Sequence, residues 1–186
     1  MLAVTGHRPD KLGGYSPEAD RKLRAFAREL LPLLLSALEE RVVITGMALG
    51  WDQAIAQACV ELKIPFIAAV PFPEQADRWP EPSRVRWAGL CHQAFEIHTV
   101  CGSYSGANLQ TRNEWMVDRC GYLAALWSSA PGGTANCVRY ANRLARPVIN
   151  VWPHWQAFLR GAALPSPPLA AEFRAAALAD RPAITL

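Results

Sequence analysis

The chain has 186 residues, 51% of them hydrophobic, which is enough to bury the core of one domain without disulfides or structural metals. Its net charge is only +3, with 19 basic and 16 acidic residues. This balance favours a small anion as ligand, and we do not expect nucleic acid as a partner. The five cysteines have no paired spacing, which predicts reduced thiols in a cytoplasmic protein with no metal site and no cofactor. No membrane partner or signal peptide is expected, because the longest apolar stretch near a terminus, residues 30–38, is too short to span a bilayer.

Short apolar runs alternate with helical patterns from the first residue. The first predicted strand, residues 2–5, is followed by a helix over 18–40, which Ser16 caps and Pro17 begins. The later predicted strands are 42–45, 66–70, 95–100, 122–127 and 147–151. The first four of these are each followed by a predicted helix, at 51–62, 83–94, 106–120 and 134–144 respectively. Parallel strands need such long crossovers. The pattern predicts an α/β, doubly wound fold with a mostly parallel sheet and helices on both faces.

The predicted domain covers residues 1–152. The remaining residues, 153–186, are rich in alanine and proline and carry no strand pattern. They have too little pattern to form a core of their own. We therefore expect a packed C-terminal extension and a candidate interface arm.

Two glycine-containing turns each join a predicted strand to a predicted helix. Residues 128–136 read SSAPGGTAN, and residues 46–52 read GMALGWD. Glycines let backbone N–H groups approach an anion that also feels the positive end of the helix dipole. The glycines of a single turn of this kind are more often needed only for the backbone conformation of the turn. Two such turns in one chain point to a phosphate-bearing ligand. Ligands of doubly wound sheets bind at the carboxyl ends of the strands, near the point where the strand order reverses, so we expect the site there.

The loops at these strand ends resemble those of a known family. The segments that carry the resemblance are TGHRPDKLGGY from residue 5, TGMALGWDQ from 45, AVPF from 69, RNEWMVD from 112 and GGTAN from 132. Over about residues 2–152, the chain resembles the YpsA-like family of the SLOG superfamily, a Rossmann-like group that also holds the lonely-guy phosphoribohydrolases and the DprA/Smf proteins. The resemblance implies a phosphate-binding loop, binding of a nucleotide or nucleotide-derived ligand, and a homo-oligomer that is a dimer or higher.

The lonely-guy enzymes release a base from a nucleoside 5′-monophosphate and carry two signatures for this reaction. One is Arg-Lys-x-x-Met, in which Arg112 and Met116 match and the lysine is replaced. The other is Pro-Gly-Gly-x-Gly-Thr-x-x-Glu, which is shorter here, and Cys137 stands where the catalytic glutamate would be. This departure argues against glycosidase chemistry. If the chain is an enzyme, the candidate catalytic residues are Arg112, Asp52, Glu114 and His7.

The resemblance and the two turns together define a set of candidate ligand-binding residues. The residues expected at the phosphate are Gly46, Gly50, Arg112, Gly132, Gly133 and Thr134. The residues expected at the sugar or base, with their loop neighbours, are Thr5, Gly6, His7, Arg8, Asp52, Asn113 and Asn136.

Several of these residues also have an ordinary structural explanation. Asp52 fits equally well as an acidic residue in the first turn of a helix, where the helix dipole stabilises a negative charge. His7 is more often a structural residue than an acid or base. Trp79 and Trp87, which flank the proline-rich segment 71–82, are more often packing residues than stacking platforms for a base.

Three functions follow from this pattern. The first is binding of a nucleotide or nucleotide-derived small molecule, as a sensor or sequestering protein. The alternative is an N-glycosidase or phosphoribohydrolase that acts on nucleoside monophosphates or NAD-like compounds. The second alternative is DprA-like binding of single-stranded DNA.

Overall fold

A computed structural model describes residues 1–36 and 38–164 of the chain. In this part the strands are β1 (Leu2–Gly6), β2 (Val43–Thr45), β3 (Phe66–Val70), β4 (Glu96–Thr99), β5 (Tyr122–Leu126) and β6 (Val148–Asn150). The helices are α1 (Pro17–Leu35), α2 (Trp51–Leu62), α3 (Glu81–His92), α4 (Gly106–Arg119), α5 (Gly133–Arg143) and α6 (Trp152–Leu159), and a short 3-10 helix (Pro9–Lys11) follows β1.

The strands form one parallel sheet in the order β4-β3-β2-β1-β5-β6. The chain builds outward from β1 to β4 and then crosses back to place β5 on the other side of β1. The strand order therefore reverses between β1 and β5, where Gly6 pairs with Leu126. This confirms the predicted α/β, Rossmann-like, doubly wound fold and places its switch point between these two strands.

Helices cover both faces of the sheet. Successive strand residues point to opposite faces, so Leu2 and Val4 pack in one hydrophobic cluster with residues of α1, α2, α3 and α6. Ala3 lies in the second cluster, with residues of α4 and α5. The crossover helices α4 and α5 thus share one face, and their ends nearest the carboxyl edge of the sheet can reach a common site.

Helix α1 is shorter than predicted. It ends at Leu35 rather than at residue 40, and the Ser36 hydroxyl donates to the Leu33 carbonyl at 2.7 Å. Glu39 and Glu40 would place two carboxylates at the negative end of a longer helix, which the dipole disfavours. Glu40 instead accepts a hydrogen bond from the N-terminal ammonium group of Met1 at 3.1 Å, so this segment contacts the start of β1.

The sequence pattern did not predict helix α6. Its second residue is Pro153, which is tolerated in the first turn of a helix because the N–H that proline lacks has no partner there. Trp155 is buried against the Phe26 ring, at a centroid distance of 5.2 Å. The first residues of the predicted extension therefore belong to the core. Residues 165–186 lie outside the described part of the chain, so the interface arm stays a prediction.

Candidate functional site

A cavity of about 320 Å³ lies at the carboxyl ends of β1 and β5, beside the switch point. Loops after β1, β2 and β5 and the helices α2, α4 and α5 contribute to its wall. The predicted ligand residues that line it are Thr5, Gly6, His7, Arg8, Asp52, Arg112, Asn113, Gly132, Gly133 and Thr134. The predicted residues that do not line it are Gly46, Gly50, Glu114 and Asn136.

The first turn of α5 faces this cavity. Gly132 is the N-cap and has a φ of +137°, a conformation that glycine adopts without strain. The first N–H groups of a helix have no acceptor within the helix. Gly133 and Thr134 follow in the cavity wall, and Thr134 is buried. The turn therefore presents backbone donors and the positive end of a helix dipole to the cavity.

Arg112 of α4 brings a positive charge into the same cavity, although its side chain is only 6% exposed. Its Nε donates to Asn113 Oδ1 at 3.0 Å, and one terminal nitrogen donates to the carbonyl of Gly46. Asn113 in turn donates to the Gly133 carbonyl at 3.4 Å. Asn113 thus links the arginine to the first turn of α5 and helps to fix the guanidinium relative to that turn.

The two glycines of the upstream turn serve packing. A Cβ on Gly46 would lie 1.8 Å from a terminal nitrogen of Arg112, so any side chain there would displace the guanidinium from this position. Gly50 has a φ of +94°, and a Cβ there would lie 2.7 Å from the His7 carbonyl oxygen. This turn admits Arg112 and lets the loop after β1 approach α2.

Asp52 is a buried carboxyl group in the cavity wall. Its Oδ2 accepts a hydrogen bond from the Ala48 N–H at 3.4 Å. Burial raises the pKa of Asp52 to about 6, although the nearby charge of Arg112 acts in the opposite direction. The group can therefore gain or lose a proton close to neutral pH, which suits either a proton donor or a charge that opposes anion binding.

His7 connects the loops after β1 and β5. Its Nε2 accepts a hydrogen bond from the Ser128 N–H at 2.9 Å and lies 2.8 Å from the Ser128 hydroxyl oxygen. Burial, assisted by the charge of Lys11, lowers the pKa of His7. The neutral ring accepts a backbone hydrogen bond, so the geometry favours the structural role over that of a general acid.

Glu114 and Asn136 point to local partners outside the cavity lining. Glu114 accepts a hydrogen bond from Gln110 at 2.9 Å, and Asn136 accepts one from Arg139. Cys137, at the position of the lonely-guy glutamate, is fully buried, and burial raises the pKa of its thiol to about 12. Neither Glu114 nor Cys137 supplies the acid that the lonely-guy reaction uses at this position.

The prediction missed several residues that shape the site. The cavity lining also contains Asp10 and Lys11, which lie in the first segment of the resemblance but were not named as candidates. The Asn150 side chain, at the end of β6, accepts from the Trp127 N–H at 3.3 Å and donates to the Trp127 carbonyl at 2.8 Å, which holds the loop after β5. Gln75 donates to the Gly46 carbonyl at 3.0 Å, and a lone buried glutamine gives no motif by which to find it.

Comparison with known proteins assigns the family. The YpsA family model, described as "YspA SLOG family", matches residues 2–144. The chain belongs to this SLOG family. One relative is the uncharacterized SPbeta prophage-derived protein YoqJ of Bacillus subtilis (strain 168). The two sequences are 32% identical over 134 residues, and the aligned region covers 59% of this chain and 78% of YoqJ. The resemblance inferred from the five loop segments is confirmed.

Solved structures of DNA processing protein A (DprA) share the fold of this SLOG chain. The protein from Streptococcus pneumoniae matches with a TM-score of 0.58 and 16% identity over 91% of this chain, which spans 60% of that protein. DprA from Helicobacter pylori, whose structure describes a single-stranded DNA binding mode, matches with a TM-score of 0.54 and 13% identity, covering 87% of this chain and 81% of that protein. These similarities show that the proteins share a fold.

One expectation about partners is wrong. The small net charge led us to expect that nucleic acid is not a partner, yet the H. pylori protein of the same fold binds single-stranded DNA. A net charge averages over the whole surface and says little about one groove, so it does not exclude nucleic acid. In residues 1–36 and 38–164, no helix combines the length and the apolar character needed to cross a membrane.

Proposed function

We propose that this chain binds a nucleotide or nucleotide-derived small molecule in the cavity between β1 and β5, and that the phosphate lies between the first turn of α5 and Arg112. The observation that carries this proposal is a buried arginine that lines the same cavity as a glycine-started helix N-terminus. A guanidinium and backbone N–H groups are the donors that phosphate oxygens prefer.

The surroundings of Arg112 support this role. A buried cation is costly unless hydrogen bonds or a counter-charge compensate it. Asn113 and Gly46 accept two of its hydrogen bonds, and Asp52, whose pKa burial raises to about 6, compensates the charge of Arg112 only when ionised, so this compensation falls as the pH drops through 6. An anionic ligand would supply the compensating charge. A cavity of about 320 Å³ is at the lower end of the size range of small-molecule sites. Binding without turnover suits a sensor or a sequestering protein.

The first alternative is an N-glycosidase or phosphoribohydrolase. Asp52 favours it, because a carboxyl group with a pKa of about 6 in the cavity could donate a proton to a leaving base. Cys137 argues against it, because its thiol is buried and stays protonated. Loss of a positioned acid typically slows a reaction by about a hundred- to ten-thousand-fold. We therefore expect purified protein to hydrolyse AMP very slowly or not at all, and fast turnover that Asp52→Asn abolishes would establish the enzyme.

The second alternative is binding of single-stranded DNA, favoured by the fold shared with H. pylori DprA. Phosphate contacts of the kind proposed here would serve a strand as well as a free nucleotide. Affinity for an oligonucleotide should then fall steeply as the salt concentration rises. A weak dependence on salt would favour the small-molecule ligand.

Titration calorimetry with nucleoside 5′-monophosphates and with inorganic phosphate tests the proposal. Arg112→Gln removes the charge and should weaken binding by about tenfold or more, because hydrogen bonds to charged groups contribute about 1.5–3 kcal/mol. Arg112→Lys keeps the charge but loses the planar fork, so an intermediate affinity is expected. Arg119→Gln, on the exposed surface of the same helix, is the matched control and should bind like the wild type.

Circular dichroism checks that each variant is folded. A folded Arg112→Gln protein that binds nucleotides as tightly as the wild type would remove Arg112 from the site. Equal losses in Arg112→Gln and Arg119→Gln would indicate a general effect of charge rather than a contact.

A further inference from the structure

A second cavity of about 580 Å³ adjoins the proposed phosphate site. Four residues line both cavities, namely Arg8, Ala48, Leu109 and Arg112. The two cavities therefore lie side by side, with Arg112 between them. A ligand whose phosphate contacts Arg112 in the first cavity can extend past this side chain into the second.

The second cavity contains an exposed aromatic ring that its neighbours hold in place. Tyr104 is 61% exposed. The buried ring of Phe72 packs against it edge to face, with a centroid distance of 5.1 Å and an interplanar angle of 90°. The Arg78 guanidinium lies 5.6 Å from the centre of the Tyr104 ring. Trp79 lines the same cavity, so aromatic and guanidinium surfaces suitable for stacking converge there.

The polar groups of the two cavities differ. The first turn of α5 lines the first cavity and not the second. The second cavity carries two carboxylates, Glu74 and Asp77, beside Arg78. These carboxylates would repel a phosphate but can accept hydrogen bonds from the amino groups of a base. The second cavity therefore suits the neutral, flat end of a nucleotide.

We propose that the second cavity is a nucleobase subsite, in which the base stacks on Tyr104 while the phosphate stays at Arg112 and the first turn of α5. This inference rests on the proposed function. Stacking on an aromatic ring depends on the π-face that every base has, so the subsite accepts all four bases. The base belongs either to a free nucleotide or to one residue of a single strand, and the chemistry at Tyr104 is the same.

Titration calorimetry with three probes tests the subsite: the nucleoside 5′-monophosphates, ribose 5-phosphate, which has no base, and a short oligothymidylate. The variants are Tyr104→Ala and Tyr104→Phe, with Tyr15→Ala as the control, because Tyr15 is 70% exposed and lines neither cavity. Loss of one base–aromatic stack should weaken binding of base-containing probes by about tenfold. Tyr104→Phe keeps the ring and should bind like the wild type, and Tyr104→Ala should leave ribose 5-phosphate binding unchanged.

Each outcome separates the subsite from the phosphate site. A loss confined to the monophosphates identifies a free nucleotide as the source of the base, and a loss confined to the oligothymidylate identifies a strand. Unchanged affinities of Tyr104→Ala, or wild-type protein that binds ribose 5-phosphate as tightly as the monophosphates, overturn the subsite and leave the proposed function intact. Loss of ribose 5-phosphate binding in Tyr104→Ala also overturns it. Wild-type protein that binds none of the probes overturns both proposals.

Discussion

Gly132 controls the shape of the turn that faces the proposed phosphate. Its φ of +137° is strained for any residue with a Cβ, whereas the space around it is open, with no atom within 4 Å of a Cβ placed there. The sequence could predict that glycine is needed at this turn, but not that the need comes from the backbone rather than from crowding. The N–H groups that follow depend on this backbone conformation for their direction.

Gly132→Val should therefore weaken phosphate binding more than tenfold and cost about 1–3 kcal/mol of stability, the penalty of a backbone region that essentially only glycine occupies. Calorimetry with inorganic phosphate and thermal denaturation measure the two effects. Gly102→Val is the control, because a Cβ there also meets no atom within 4 Å and the residue does not have a positive φ. If the folded Gly132→Val protein binds phosphate normally, the turn is not part of the site.

Asp52 should make the stability of the protein depend on pH. Its pKa is about 6 in the folded protein against 3.8 for the ordinary group, so the folded state binds more protons between these values. Stability linked to Asp52 is therefore highest below about pH 4 and is lost as the pH rises through 6. Two pKa units correspond to about 3 kcal/mol.

Denaturant titrations measure this effect in the wild type and in Asp52→Asn. The free energies of unfolding of the two proteins should be similar at low pH and differ increasingly towards pH 7, where the variant is more stable. Parallel curves would contradict a raised pKa.

At the scale of elements, helix α6 completes the core, although the sequence pattern did not predict this helix. Trp155 is only 2% exposed and packs on Phe26 and Phe158. Trp155→Ala should destabilise the protein by about 3–5 kcal/mol, as is usual for a buried tryptophan. Leu159→Ala, on the same helix but 46% exposed, should change stability by less than about 1 kcal/mol. Urea denaturation compares the two, and similar midpoints for both variants would show that α6 is peripheral.

The elements that the sequence predicted well are those with a clear boundary residue. Helix α2 and strand β3 have the predicted bounds, 51–62 and 66–70. Glycine precedes the first and proline precedes the second. Helix α1 was predicted five residues too long because its apolar pattern continues past its true end. Helix α6 was missed because a proline at its second residue is easily taken for a helix breaker, although it is compatible with a first turn.

At the scale of the whole molecule, the chain order and the resemblance of the loops together predicted which residues gather at one edge of the sheet. Because parallel strands end at one edge, the loops after β1 and β5 had to meet, and ten of the predicted ligand residues do line one cavity. The roles of Gly46, Gln75 and Asn150 could not be predicted, because each acts through a contact between elements distant in sequence. Periodicity describes single elements and contains no information about such contacts.

The homo-oligomer is also a prediction about the whole molecule, and it is still to be tested. Edge strand β4 exposes Ile97, which is 52% exposed, beside Phe95 at 75%. Exposed apolar residues on an edge strand are typical of a surface that pairs with another chain. We expect light scattering to give at least a dimer at tens of micromolar, and Ile97→Lys to shift it towards a monomer. A wild-type monomer at that concentration would exclude the predicted homo-oligomer.

The contact between Gly46 and Arg112 has an evolutionary consequence. Since a side chain at position 46 would collide with the guanidinium from position 112, the glycine is restrained for as long as the arginine is present. A lineage that keeps the arginine in this position is expected to keep the glycine, and a lineage that loses the arginine releases its neighbour from that steric restraint. In distantly diverged sequences, where helices are hard to align but a strand is easy to find, a residue other than glycine at position 46 therefore indicates that the buried cation was lost.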